Sequence, residues 1–234
     1  MMPIGDDNSQ RVITPWINYL LIAANIFVFV YYQGMGMNQS FTLSMATVPG
    51  EILSNTDLVG GEAGLRPTPI PIYATILTAM FMHGSVAHLL GNMLYLWVFG
   101  DNLENVMGHL KYLLFYLLCG VIATLCHVFA SAVLNSGLMV PSLGASGAIS
   151  GVLGGYLLMF PRNRVKVFAI PFVFHVPAFI SLGLWILMQL VNSMGMLGGD
   201  YEGGGVAYAA HIGGFFAGMF LVRHFVNKRP ARNF

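Results

Sequence analysis

Residues 143–160 read LGASGAISGVLGGYLLMF and residues 206–225 read VAYAAHIGGFFAGMFLVRHF. Each run is long enough to cross a bilayer core, which takes about 17–20 apolar residues in a helix. Glycine recurs in both, so two such helices can approach until their side chains touch. Each run also carries a polar group near its start: Ser146 in Gly144-Ala145-Ser146-Gly147, and His211 in Ala210-His211-Ile212-Gly213-Gly214. Polar groups inside a span are costly and mark function more often than chance. A hydroxyl within hydrogen-bond reach of an imidazole is the minimal activated nucleophile.

Composition agrees with a membrane setting. Of 234 residues, 56% are hydrophobic and 8% charged, against about 25% charged in soluble domains. The reading is an all-α, polytopic membrane protein with six transmembrane helices, at 16–32, 85–103, 110–134, 143–160, 177–196 and 206–225. Residues 33–71 form a long first loop. Residues 72–82 are apolar but too short to span, so they are expected at the membrane surface or packed on the bundle. No repeat or low-complexity tract divides the chain. It reads as one domain, 1–234, with short tails at about 1–13 and 227–234. No signal-peptide pattern precedes the first span.

The net charge of +1 excludes nucleic acid as a natural partner. No Cys/His cluster has metal-ligand spacing and no phosphate-binding loop is present, so neither metal nor cofactor is expected. Cys119 and Cys126 lie seven apart on one helix face and read as packing residues.

Basic residues set the orientation. Nine of the ten Lys and Arg fall on the side of the two termini, and Arg66 alone falls on the other. This places both termini in the cytoplasm, in what reads as a prokaryotic inner membrane. Spans two, four and six then all start from the outer face. At 1.5 Å per residue, Ser146 lies roughly 6 Å deep, His211 roughly 8 Å, and His88 and Asn92 roughly 6–12 Å. His88 and Asn92, four apart, share a helix face. Four polar side chains on three helices thus share one depth.

The pattern His83-x4-His88-x3-Asn92, then Gly144-x-Ser146-Gly147, then Ala210-His211-x-x-Gly214, resembles the rhomboid intramembrane serine proteases. Gly100-x3-Glu104-x3-Gly108, the six-span layout and the long first loop fit the same family. The resemblance implies a Ser–His dyad without a third acid: Ser146 the nucleophile, His211 the general base. His88 and Asn92, with the Ser146 backbone N–H, would form the oxyanion hole. Substrates would be single-span membrane proteins, cut in or near their transmembrane segment. This chain has Ser150 where some members carry a tyrosine that stacks on the histidine, and it lacks the Trp-Arg signature many carry in the first loop.

The alternatives are an inactive rhomboid-like protein that binds transmembrane helices without cutting them, and a small transporter. The intact Ser146 and His211 argue against the first. The second calls for paired acids within spans or repeated halves, and the sequence has neither. His83 reads as structural, Glu104 as a tie between inner helix ends, and Gly214-x3-Gly218 as the contact of span six with span four. His109, His127, His175 and His224 read as interfacial or packing residues. Substrate admission is expected between spans two and five, with span five and the loop 195–205 as the gate.

Overall fold

A computed structural model describes residues 2–60, 64–197 and 208–227. Six long helices fall on the six apolar runs: α1 (Trp16–Phe27), α2 (Val86–Met107), α3 (His109–Leu134), α4 (Ser146–Met159), α5 (Ala178–Leu197) and α6 (Tyr208–Phe225). Of the loop expected to gate the site, residues 198–205 lie outside the described residues. So does the C-terminal tail from 228 on.

Among the described residues, α3 alone is long and apolar enough to span by itself. The segment Ile72–Phe81 together with α2 also passes, across a bend of 79°. Helices α1, α4 and α5 are shorter apolar helices. The six helices are therefore present, while six crossings is a stronger statement than their length and hydropathy establish.

The molecule is mostly helical but not all-α. Strands β1 (Met2–Gly5), β2 (Arg164–Ala169) and β3 (Phe172–Pro177) form an antiparallel sheet in the order β1-β2-β3. Val165 and Val167 are buried while Arg164 and Lys166 face out, the period-two alternation of a half-buried strand. This corrects the all-helical reading. The physical reason is that a short alternating run between two apolar helices needs a partner strand, and part of that partner comes from the opposite end of the chain. The N-terminal residues are built into the fold rather than hanging from it.

Helix α4 is the central element, with every residue from Ala148 to Tyr156 buried. It packs on α6 backbone to backbone. A Cβ at Gly218 would overlap the carbonyl of Gly151, and one at Gly214 the carbonyl of Gly147. From α4, a Cβ at Gly154 would overlap the carbonyl of Phe215. The small-residue spacing of α6 thus does what the sequence predicts. Cys119 and Cys126 of α3 complete the contact, against Gly151 and Gly213 respectively.

Polar side chains tie the opposite end together. Glu104 of α2 accepts from the backbone N–H groups of Ile17 (3.0 Å) and Asn18 (2.7 Å). It thereby caps α1, whose first N–H groups have no intrahelical acceptor. Arg11 pairs with Asp101 at 2.7 Å, and Asn105 accepts from the N–H of Val12 at 2.9 Å. Asp6 accepts from Asn102 Nδ2 at 2.7 Å and from the Tyr156 hydroxyl. Burial, the largest influence, pushes the Asp6 carboxyl up to about 7.

The first loop closes over the other end. Gln33 clamps the backbone of His83, accepting from its N–H at 2.9 Å and donating to its carbonyl at 3.0 Å. Thr47 pairs with Ser142 across a two-residue bridge, and Gly144 N–H donates to Ala79 O at 2.9 Å. Residues 72–82 pack on the bundle: Ile76, Ala79, Met80 and Met82 are buried.

Candidate active site

The residues singled out from sequence meet at the starts of three helices. Ser146 is the first residue of α4, so its N–H has no acceptor within the helix. His211 is in the first turn of α6 and His88 in the first turn of α2. Ser85 begins α2 with its Oγ accepting from the His88 N–H at 3.1 Å, a side-chain cap that fixes where His88 emerges.

His211 Nε2 lies 2.8 Å from Ser146 Oγ. Both side chains are half-buried and line a cavity of about 480 Å³ together with His88 and Asn92. The four predicted residues are therefore brought to one space. His83 is not among its lining residues. Its ring is fully buried and packs edge-on against His88 at 5.1 Å between centroids, which fits its structural reading.

Asn92 is buried, and its Nδ2 has no hydrogen-bond partner among the described residues. Such an orphan donor is expensive unless something in the cavity accepts from it. Gly144, at φ +133°, brings the chain against the other donor: a Cβ there would sit 3.0 Å from His88 Nε2. Only glycine combines that backbone conformation with that approach.

Two neighbours of His211 come from α5 and escape sequence reasoning. Trp185 lies 6.0 Å from it between ring centroids, tilted by 39°. Gln189, one turn on, places Oε1 2.9 Å from His211 Nδ1. The packing on the imidazole thus comes from α5. Ser150 bonds back to the Ser146 carbonyl at 2.6 Å and takes no part in it. The available signal was the glutamine itself, one of the few polar residues in the largely apolar run of span five, with Ser181, Asn192 and Ser193.

Residues 72–228 match the family described as Rhomboid domain. The chain is similar to Rhomboid protein 1, mitochondrial, of Saccharomyces cerevisiae, at 32% identity over 62% of this chain and 40% of the yeast protein. It is similar to Presenilin-associated rhomboid-like protein, mitochondrial, of Bos taurus, at 27% identity over 95% of this chain and 54% of the bovine protein. Rhomboid protease GluP of Bacillus subtilis is 31% identical over 88% of this chain and 35% of that protein. The chain thus spans between 35% and 54% of the length of these relatives. The expectation of a prokaryotic inner membrane, with cytoplasmic termini, is overturned here. The yeast and mammalian relatives are mitochondrial by name and point to a mitochondrial membrane.

Proposed function

We propose that this chain, which belongs to the rhomboid family, is an intramembrane serine endopeptidase that cuts membrane-anchored proteins in or near their transmembrane segment. The 2.8 Å contact between Ser146 Oγ and His211 Nε2 carries the reading. The proposal includes one domain over 1–234, with α1 to α6 each crossing the bilayer.

Ser146 Oγ attacks the scissile carbonyl while its proton passes to His211 Nε2. The carbonyl oxygen becomes an oxyanion facing Asn92 Nδ2, His88 and the Ser146 N–H, donors set before the charge develops. The C–N bond then breaks, and the proton on His211 goes to the leaving amine. Water, deprotonated by His211, hydrolyses the acyl-enzyme and frees Ser146. Single-span substrates suit a cavity opening among helix ends. Their scissile carbonyls must first leave helical hydrogen bonds, so weak helix formers near the cut favour cleavage.

The test is cleavage of a single-span reporter in proteoliposomes, with fluorophosphonate labelling in parallel. Ser146→Ala and His211→Ala should each abolish cleavage, and the double variant should be no worse than either alone. Labelling should vanish with Ser146→Ala. A protein that binds transmembrane helices without cutting them would show neither signal, and undiminished turnover by Ser146→Ala would end the protease reading.

A further inference from the structure

Gln189 sits on α5, the peripheral helix whose Leu184, Leu187, Met188 and Val191 face outward, yet its side chain turns inward to the cavity. Its Oε1 is 2.9 Å from His211 Nδ1, and the other ring nitrogen of His211 is 2.8 Å from Ser146 Oγ. The imidazole is therefore held at both nitrogens, by α5 on one side and α4 on the other.

A neutral imidazole carries one proton, and the bond made by one nitrogen decides which tautomer is present. To take the Ser146 proton, Nε2 must carry the lone pair, so the ring proton must sit on Nδ1. An amide oxygen facing Nδ1 accepts that proton and selects this tautomer. An amide NH₂ turned the same way would select the opposite one, with a proton on Nε2 and no base for Ser146. The oxygen also supports the positive charge that appears on the ring when the proton arrives.

We infer that Gln189 is a positioning residue for His211: it fixes the ring and its Nδ1–H tautomer, so that Ser146, His211 and Gln189 form a hydrogen-bonded chain whose third member is a neutral amide. This rests on the proposed Ser146–His211 chemistry. It also makes activity depend on where α5 stands. Because Trp185 and Gln189 are one turn apart on the same helix, displacing α5 removes the packing and the hydrogen bond on His211 together.

The experiment uses the full chain in proteoliposomes, read by reporter cleavage and by the rate of fluorophosphonate labelling. Gln189→Met keeps the shape and removes the acceptor. It should lower kcat about ten- to hundredfold, the worth of one hydrogen bond to a group that becomes charged. KM should stay within about twofold, and labelling should slow in parallel. Gln189→Glu, whose carboxylate can only accept, should recover most of the lost rate. Unchanged kcat in Gln189→Met, or a Gln189→Glu as slow as Gln189→Met, would overturn the assignment. If Gln189→Met does not fold, Gln189→Asn must show the same loss, since it withdraws the oxygen by one methylene; a full rate there also overturns it. Absence of labelling in the unaltered chain would instead take down the catalytic reading on which it stands.

Discussion

Gly144 lies against His88 so closely that a Cβ at position 144 would stand 3.0 Å from both Cε1 and Nε2 of the imidazole. The backbone of Gly144 is at φ +133°, where an L side chain is strained. Gly144→Ala should thus strain the turn entering α4 and push His88 away from its place beside Ser146. Strain of this kind costs on the order of 1–3 kcal/mol. Reporter cleavage should fall about tenfold or more, while thermal unfolding in detergent stays cooperative. Wild-type kcat in Gly144→Ala would show that the placement of His88 has no bearing on the reaction.

The unpartnered Nδ2 of Asn92 leads to a second expectation. If it donates to the oxyanion, Asn92→Ala should lower kcat by about 10²–10³, the usual loss for one such donor, with little change in KM. Removing a buried donor that has no partner among the described residues should not cost stability, so the melting midpoint should hold or rise. A fall in stability with unchanged kcat would assign Asn92 to packing. His88→Ala should behave likewise in kcat, and a change confined to KM would remove His88 from the oxyanion hole.

The helices were legible because the apolar runs are long and cleanly bounded: 110–134 becomes His109–Leu134, and 206–225 becomes Tyr208–Phe225. Ser146 and His211 stood out as polar groups flanked by small residues, and their meeting with His88 in one cavity follows from each helix starting within a few residues of its site residue. Gln189 carried the same kind of signal but lacked flanking glycines, and its importance depends on which way α5 faces. Trp185, four residues earlier, cannot be told from a lipid-facing aromatic by sequence. The sheet was missed for a different reason. Val165 and Val167 alternate with Arg164 and Lys166 over only a few residues, and β1 pairs with them from the far end of the chain, with Met2 opposite Phe168. Local pattern does not announce a partner that distant. The same applies to Asp6 and Tyr156, whose contact brings together residues 150 apart in the chain and depends on β1 docking against β2 and α2.

The glycine contact between α4 and α6 gives a stability prediction with an internal control. At Gly218, any side chain meets the backbone of Gly151, which cannot yield as a flexible side chain would. Gly218→Leu should separate the helices, destabilise by about 3 kcal/mol or more, and pull His211 from Ser146. Gly183 on α5 has nothing among the described residues within 4 Å of its would-be Cβ. Gly183→Ala should therefore be tolerated and should stabilise by about 0.5–1 kcal/mol through helix propensity. Paired thermal melts of the two variants check this, and equal effects would contradict the packing described.

The buried Asp6 carboxyl predicts how stability varies with pH. In the folded protein it titrates at about 7, against 3.8 for a solvated aspartate, so the folded state holds this proton more tightly than the unfolded state does. Its stabilising contribution is complete below about pH 4 and shrinks as pH rises. Above about 7 it is gone, because the folded protein must then keep a carboxylate away from water, with Asp101 and Asp7 adding repulsion. Asn102 and Tyr156, whose hydrogen bonds favour the ionised form, offset part of that cost. A rise of this size corresponds to a few kcal/mol, on the order of several degrees in the midpoint of a chain this long. Asp6→Asn keeps an acceptor for Asn102 and cannot ionise. Melts from pH 5 to pH 8 should show the midpoint falling in the unaltered protein and nearly flat in Asp6→Asn. Parallel curves for the two would mean that Asp6 is ionised in the fold throughout, and that the loss of stability at high pH comes from elsewhere.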